Sequence, residues 1–98
     1  MGYCVIAQVN IDVYRGTIPE RTLARIKQIL TEEQVNNLYC NNTGISFDTS
    51  GNKGIDYDFL DKIKELLQDN KKAESFEIGS SEFVESDGGG YYYDSNDE

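Results

Sequence analysis

The 98-residue chain predicts an α+β domain: one small unit with a mainly antiparallel sheet, two to three helices packed on one face, and the order β-α-(α)-β-α-β-β-β. Three observations lead there. Residues 3–14 alternate apolar and polar side chains with the period of a strand. Residues 17–30 and 55–67 space their apolar side chains with the period of a helix. Residues 73–98 hold short alternating runs around a glycine-rich turn.

On the first strand Val5, Ala7, Val9, Ile11 and Val13 share one face, and Gln8, Asn10 and Asp12 the other. Cys4 and Ile6 make its first half apolar on both faces, which suits a central position. Thr17-Ile18-Pro19-Glu20 has the form of a capping box with Pro in the first turn. It opens a helix with Leu23, Ile26, Ile29 and Leu30 on the buried side and Arg21, Arg25 and Lys27 towards solvent. Thr31-Glu32-Glu33-Gln34 repeats the box, so the helix is expected to restart as a short one burying Val35, Leu38 and Tyr39.

Residues 45–49 read as a short strand and residues 50–54 as a turn. Asp56 is the expected N-cap of a further helix, whose stripe is Phe59, Leu60, Ile63, Leu66 and Leu67 and whose C-terminal end carries Lys71 and Lys72. Phe76 and Ile78 then alternate against Ser75 and Glu77. Residues 82–86 form another strand, residues 87–90 a turn, and Tyr91, Tyr92 and Tyr93 the returning arm of a hairpin. The β-α-β beginning resembles part of a ferredoxin-like fold, a likeness of layout that carries no function. The expected core is Val5, Ala7, Val9, Ile11, Leu23, Ile26, Leu30, Phe59, Ile63, Leu66, Phe76 and Ile78.

Charge divides the domain into a near-neutral portion, residues 1–72, and an acidic portion, residues 73–98. The second holds eight of the 18 acids and none of the nine bases, and so nearly all of the net charge of −9. Such a chain does not suit direct binding to nucleic acid or to an anionic membrane, because Lys and Arg supply most of that affinity. It suits a basic protein or ribonucleoprotein. No apolar run reaches the roughly 18 residues of a membrane span, and the opening has no signal-peptide pattern, so the expected location is the cytoplasm.

The chain has no His. A Cys/His zinc cluster, a Cys–His nucleophile pair and a His general base are therefore excluded, and no triad motif stands in their place. The expectation is a protein that is not an enzyme and needs no cofactor. Cys4 and Cys40 are expected as reduced, mostly buried thiols, with a disulfide as the alternative.

Asp48, Ser50, Asn52, Ile55 and Asp56 resemble the first, third, fifth, eighth and ninth positions of an EF-hand calcium loop. The resemblance implies a cation site. Lys53 and Phe59, however, stand where the loop has its Gly and its bidentate Glu, so a turn followed by a helix cap accounts for the stretch and no metal is expected. Gly88-Gly89-Gly90 reads as a turn, and Asp56 with Asp58 as carboxylates at a helix start.

The candidate partner-binding residues are Glu77, Glu82, Glu85, Asp87, Tyr91, Tyr92, Tyr93 and Asp94. Acids at strand spacing of about 6.6 to 7 Å can stand in for a phosphate row, and tyrosines anchor protein interfaces. In size and charge the chain resembles phage counter-defence proteins, including anti-CRISPR and anti-restriction proteins, which implies a stoichiometric inhibitor imitating nucleic acid; the host cytoplasm is then its place. The alternatives are a host interaction module with a solubilising acidic C-terminus and a degenerate EF-hand-like calcium binder.

Overall fold

The computed structural model describes residues 4–52, 55–82 and 91–97. Its elements run β1 (Cys4–Gly16), α1 (Glu20–Glu32), β2 (Asn36–Asn41), β3 (Gly44–Asn52), α2 (Asp58–Asp69), β4 (Ala73–Glu82) and β5 (Tyr92–Asp94), with a 3-10 turn at Ser95–Asp97. The five strands form one sheet in the order β2-β3-β1-β4-β5, and every neighbouring pair is antiparallel. This is the complete β-α-β-β-α-β layout of the ferredoxin-like fold, of which the sequence showed only the start, with β5 added beside β4.

β1 sits in the centre because it is the longest strand and has an apolar face for its whole length. Val5, Ala7, Val9 and Ile11 are fully buried on that face. Ile45 and Phe47 of β3 and Phe76 and Ile78 of β4 extend it sideways. The two helices lie over this face with Ile26 and Leu30 from α1 and Phe59, Leu60, Ile63 and Leu67 from α2. Of the twelve expected core residues, Leu23 and Leu66 are only partly buried, at the rim of the helix layer.

The expected short helix burying Val35, Leu38 and Tyr39 is instead a Schellman turn and a strand. Thr31 is not a cap: its hydroxyl donates back to the Lys27 carbonyl at 2.8 Å, inside α1. Glu33 closes the helix, Gln34 takes φ +56°, and the amides of Gln34 and Val35 return to the carbonyls of Thr31 and Leu30 at 3.3 and 3.5 Å. Gly or Asn usually marks that position, so a Gln there gives no warning in the sequence. β2 then carries an irregularity, with Asn37 at φ +55°.

The first capping box is also displaced. The Thr17 and Ile18 amides bond to the carbonyls of Lys72 and Asn42 at 2.9 and 2.7 Å, Ile18 is buried, and Pro19 becomes the N-cap. At the second helix Asp56 still accepts the Asp58 amide at 2.9 Å, although the N-cap is Tyr57. The strand containing Phe76 and Ile78 runs without a break to Glu82. Glu82, expected to open a further strand, is the last residue of β4, and the rest of that expected strand, 83–86, lies with the glycine turn outside the described residues.

Candidate protein-binding face

No described element covers the other face of the sheet. Alternation along β1 turns Ile6, Gln8, Asn10, Asp12 and Tyr14 outward, and the register carries this side across β3, β4 and β5. Asp12 is paired with Glu77 of β4, and Glu77 with Asp94 of β5. Three carboxylate-bearing residues from three adjacent strands therefore stand in one row, about 4.5 to 5.5 Å apart at Cα.

Two phenols flank the middle of that row. The Tyr92 hydroxyl lies 3.1 Å from Glu77 Oε2 and 3.4 Å from Asp94 Oδ2, and the Tyr92 ring lies over Gly79, where a Cβ would meet its Cδ1 at 3.7 Å. Hydrogen bonding to Glu77 from the β1 side, then burial and the charges of Glu77, Asp94 and Asp12, push the Tyr14 ionisation from 10.0 up to about 12. Tyr14 and Tyr92 remain 56% and 64% exposed, so their rings are available to a partner while their hydroxyls hold Glu77.

The outward positions from Ile6 to Tyr14, Gly44 to Ser50, Glu77 to Ser81 and Tyr92 to Asp94 include four carboxylates, those of Asp12, Asp48, Glu77 and Asp94, while Arg15, next along β1, pairs with Ser75 at the end of the same face. Asp48 accepts Asn37 Nδ2 at 2.7 Å. Asp48 and Ser50 thus belong to a strand, so the first half of the EF-hand-like stretch is extended backbone instead of a ligand loop. Among the described residues no three Asp, Glu or Cys side chains converge as metal ligands.

The acidic portion of the sequence is split between the two layers. Glu77, Tyr92 and Asp94 are on the open face. Glu82 pairs with Ala7 and so falls on the helix side, beside the Tyr57 hydroxyl. That hydroxyl is buried without a hydrogen bond of good geometry among the described residues, and burial raises its ionisation. Glu85 and Asp87 lie outside the described residues.

Tyr91 and Tyr93 also turn towards α2. Tyr91 donates to Asp61 Oδ1 at 2.8 Å, and burial together with that bond raises its ionisation. Tyr93 accepts Gln68 Nε2 at 2.8 Å, packs on Phe76 at 5.5 Å between centroids and lies under Lys64 Nζ at 5.0 Å. Two of the three consecutive tyrosines therefore dock β5 onto the domain, and the middle one faces outward. Asp12 and Tyr14, absent from the expected site, complete the row from β1. The alternation of residues 3–14 already assigned Asp12 to the polar face, but nothing in the sequence says that β4 lies alongside.

Cys40 carries a free thiol and packs at the rim of the core. No described helix is long and apolar enough to cross a membrane. No protein-family model and no curated protein matches the chain. Among solved structures, a de novo designed protein, Foldit4, is similar at 17% identity over 86% of this chain and 100% of that chain, with a TM-score of 0.37.

The Tyr14–Glu77 contact has a measurable signature. In Glu77→Gln the Tyr14 phenol is expected to titrate closer to 10.0 than to 12, read by ring-carbon NMR. The folded phenol has the higher pKa, so its contribution to stability is complete below pH 10 and is lost as pH rises from 10 towards 12. An unchanged Tyr14 titration in the variant would show that Glu77 is not its partner.

Proposed function

We propose that this is a binding protein without catalytic activity, and that its open sheet face takes the place of nucleic acid on a basic surface of a nucleic-acid-processing protein. The observation that supports this reading is the row Asp12, Glu77 and Asp94 on the open face, where among the described strand residues Arg15 stands at the far end of β1. A groove lined with Lys and Arg gains its affinity by neutralising closely spaced phosphates, and regularly spaced carboxylates on a rigid sheet offer the same charge pattern. Tyr14 and Tyr92 add amphipathic rings beside the charges, the residue type enriched in interface anchors.

The fold allows a direct contrast. Where an RNA-recognition module uses the open face of a similar four-stranded sheet, aromatic side chains there stack on bases and cations meet the phosphates. Here the central strands carry Asp12, Asp48, Gln8 and Asn10, a composition that repels phosphate and attracts cations. The function that follows is stoichiometric inhibition of the phage counter-defence type, acting in the cytoplasm of the host, with a partner of the anti-CRISPR or anti-restriction target class.

The test is capture from host lysate by the immobilised chain, with elution by duplex DNA or salt, repeated with the variant Asp12→Asn, Glu77→Gln, Asp94→Asn. The variant should bind the captured protein about a hundredfold more weakly, three exposed charge contacts contributing about 1 kcal/mol each. It should fold as well as wild type, since neutralising like charges on adjacent strands removes repulsion. Equal retention by both chains, with no competition from DNA, would overturn the reading.

A further inference from the structure

We propose a second site, on the layer opposite the sheet face and independent of the reading above: the cleft between the start of α1 and the turn joining α2 to β4 binds a pyrophosphate-type anion. The cleft has a volume of about 540 Å³ and is edged by Arg21, Arg25, Lys71 and Lys72, with Asp69 as its one carboxylate. Arg21 and Arg25 are one turn apart and share a face of α1. Among the described residues the one ion pair joins Lys64 to Asp61, so none of these four cations has a carboxylate within salt-bridge range.

Four unneutralised cations around one opening repel each other, and an anion of charge −2 or more relieves that repulsion. The cleft thus holds four of the nine bases of a chain whose net charge is −9. The two guanidinium groups offer forked donors for phosphate oxygens, and the two ammonium groups act as point charges.

The backbone that presents Lys71 and Lys72 is fixed before any ligand arrives. Gly16, at φ +90°, leaves room for the Lys72 carbonyl, which accepts the Thr17 amide at 2.9 Å. Asn70 donates to the buried Thr22 hydroxyl at 2.6 Å and accepts the Lys72 amide at 2.9 Å. The turn is thereby tied once to the β1–α1 junction and once to α1, and little ordering cost falls on binding. Beyond Arg25 the groove continues between the helices past Leu66 and Ile29, leaving space for an organic group attached to the phosphates.

The experiment is an amide NMR titration of the full chain with sodium pyrophosphate at constant ionic strength, balanced with sodium chloride. Saturable shifts are expected at Arg21, Arg25, Asn70, Lys71 and Lys72, with a dissociation constant below about 1 mM. Arg21→Gln with Arg25→Gln, and separately Lys71→Gln with Lys72→Gln, should weaken binding about tenfold or more. Asp12→Asn with Glu77→Gln on the sheet face should leave it unchanged. A parallel titration with ATP separates the sources of the anion: binding as tight or tighter identifies a nucleotide-like ligand, and weaker binding identifies the free inorganic anion. Absence of saturable shifts up to about 10 mM pyrophosphate, or undiminished binding in the arginine double variant, overturns the proposal.

Discussion

Phe76→Ala is expected to destabilise the domain by about 3 to 5 kcal/mol, a large part of the roughly 5 to 15 kcal/mol that holds a domain of this kind together. Phe76 is 2% exposed and comes from β4, next to the central strand, and its ring meets Tyr93. Removing it opens a cavity under α2 and takes away the surface on which β5 docks. The Tyr93 ring would lose its apolar partner, so the Tyr93–Gln68 and Tyr91–Asp61 bonds should loosen with it. Leu66→Ala is the control: Leu66 is only partly buried at the rim, and its loss should cost clearly less, at about 1 to 2 kcal/mol. Denaturant unfolding of the two variants measures the difference. Equal losses, or a Phe76→Ala loss under about 1.5 kcal/mol, would contradict the packing of β4 beneath α2.

Gly16→Ala is expected to cost about 2 to 4 kcal/mol, although it adds a single methyl group at an exposed position. At φ +90° a side chain is strained wherever it points, and a Cβ here would collide with the Lys72 carbonyl oxygen. Relief requires the α2–β4 turn to move away, which breaks the bond from the Thr17 amide. The backbone strain accounts for about 1 to 3 kcal/mol of the loss and the hydrogen bond for about 1 kcal/mol. Thermal or denaturant unfolding gives the magnitude. A loss under about 0.5 kcal/mol, typical of an ordinary surface substitution, would mean that the β1–α1 junction does not pass against Lys72. The same substitution should displace Lys71 and Lys72 from Arg21 and Arg25, and so weaken anion binding at the cleft.

What the sequence determined by itself were the features written in local chemistry. The alternation from Val5 to Val13 identified the central strand and its buried face, and the helical spacing of Ile26 and Leu30 and of Phe59, Ile63 and Leu67 identified the two helices that cover it. The return of Tyr92 and Tyr93 as a strand was also legible, although they pair with Gly79 and Ile78, further back along β4 than a tight hairpin around the glycines would place them. β2 was not legible: Gln34 takes the left-handed position without being Gly or Asn, and the Thr-Glu-Glu-Gln run that closes α1 also reads as the opening of a helix.

Only the tertiary structure decided how the charges combine. A run of acids in sequence gives their number but not their side of the sheet, because the side depends on register with a strand more than 60 positions away. Pairing of β4 with β1 puts Glu77 beside Asp12 and turns Glu82 to the helix layer, while pairing with β5 sends Tyr92 outward and Tyr93 inward. The cleft of four cations has the same origin. Arg21 and Arg25 lie about 50 residues from Lys71 and Lys72, and they share one opening because Gly16 allows the Lys72 carbonyl to approach the β1–α1 junction. Side-chain period is a local property that a sequence states directly; the contact between two distant segments depends on every backbone hydrogen bond between them.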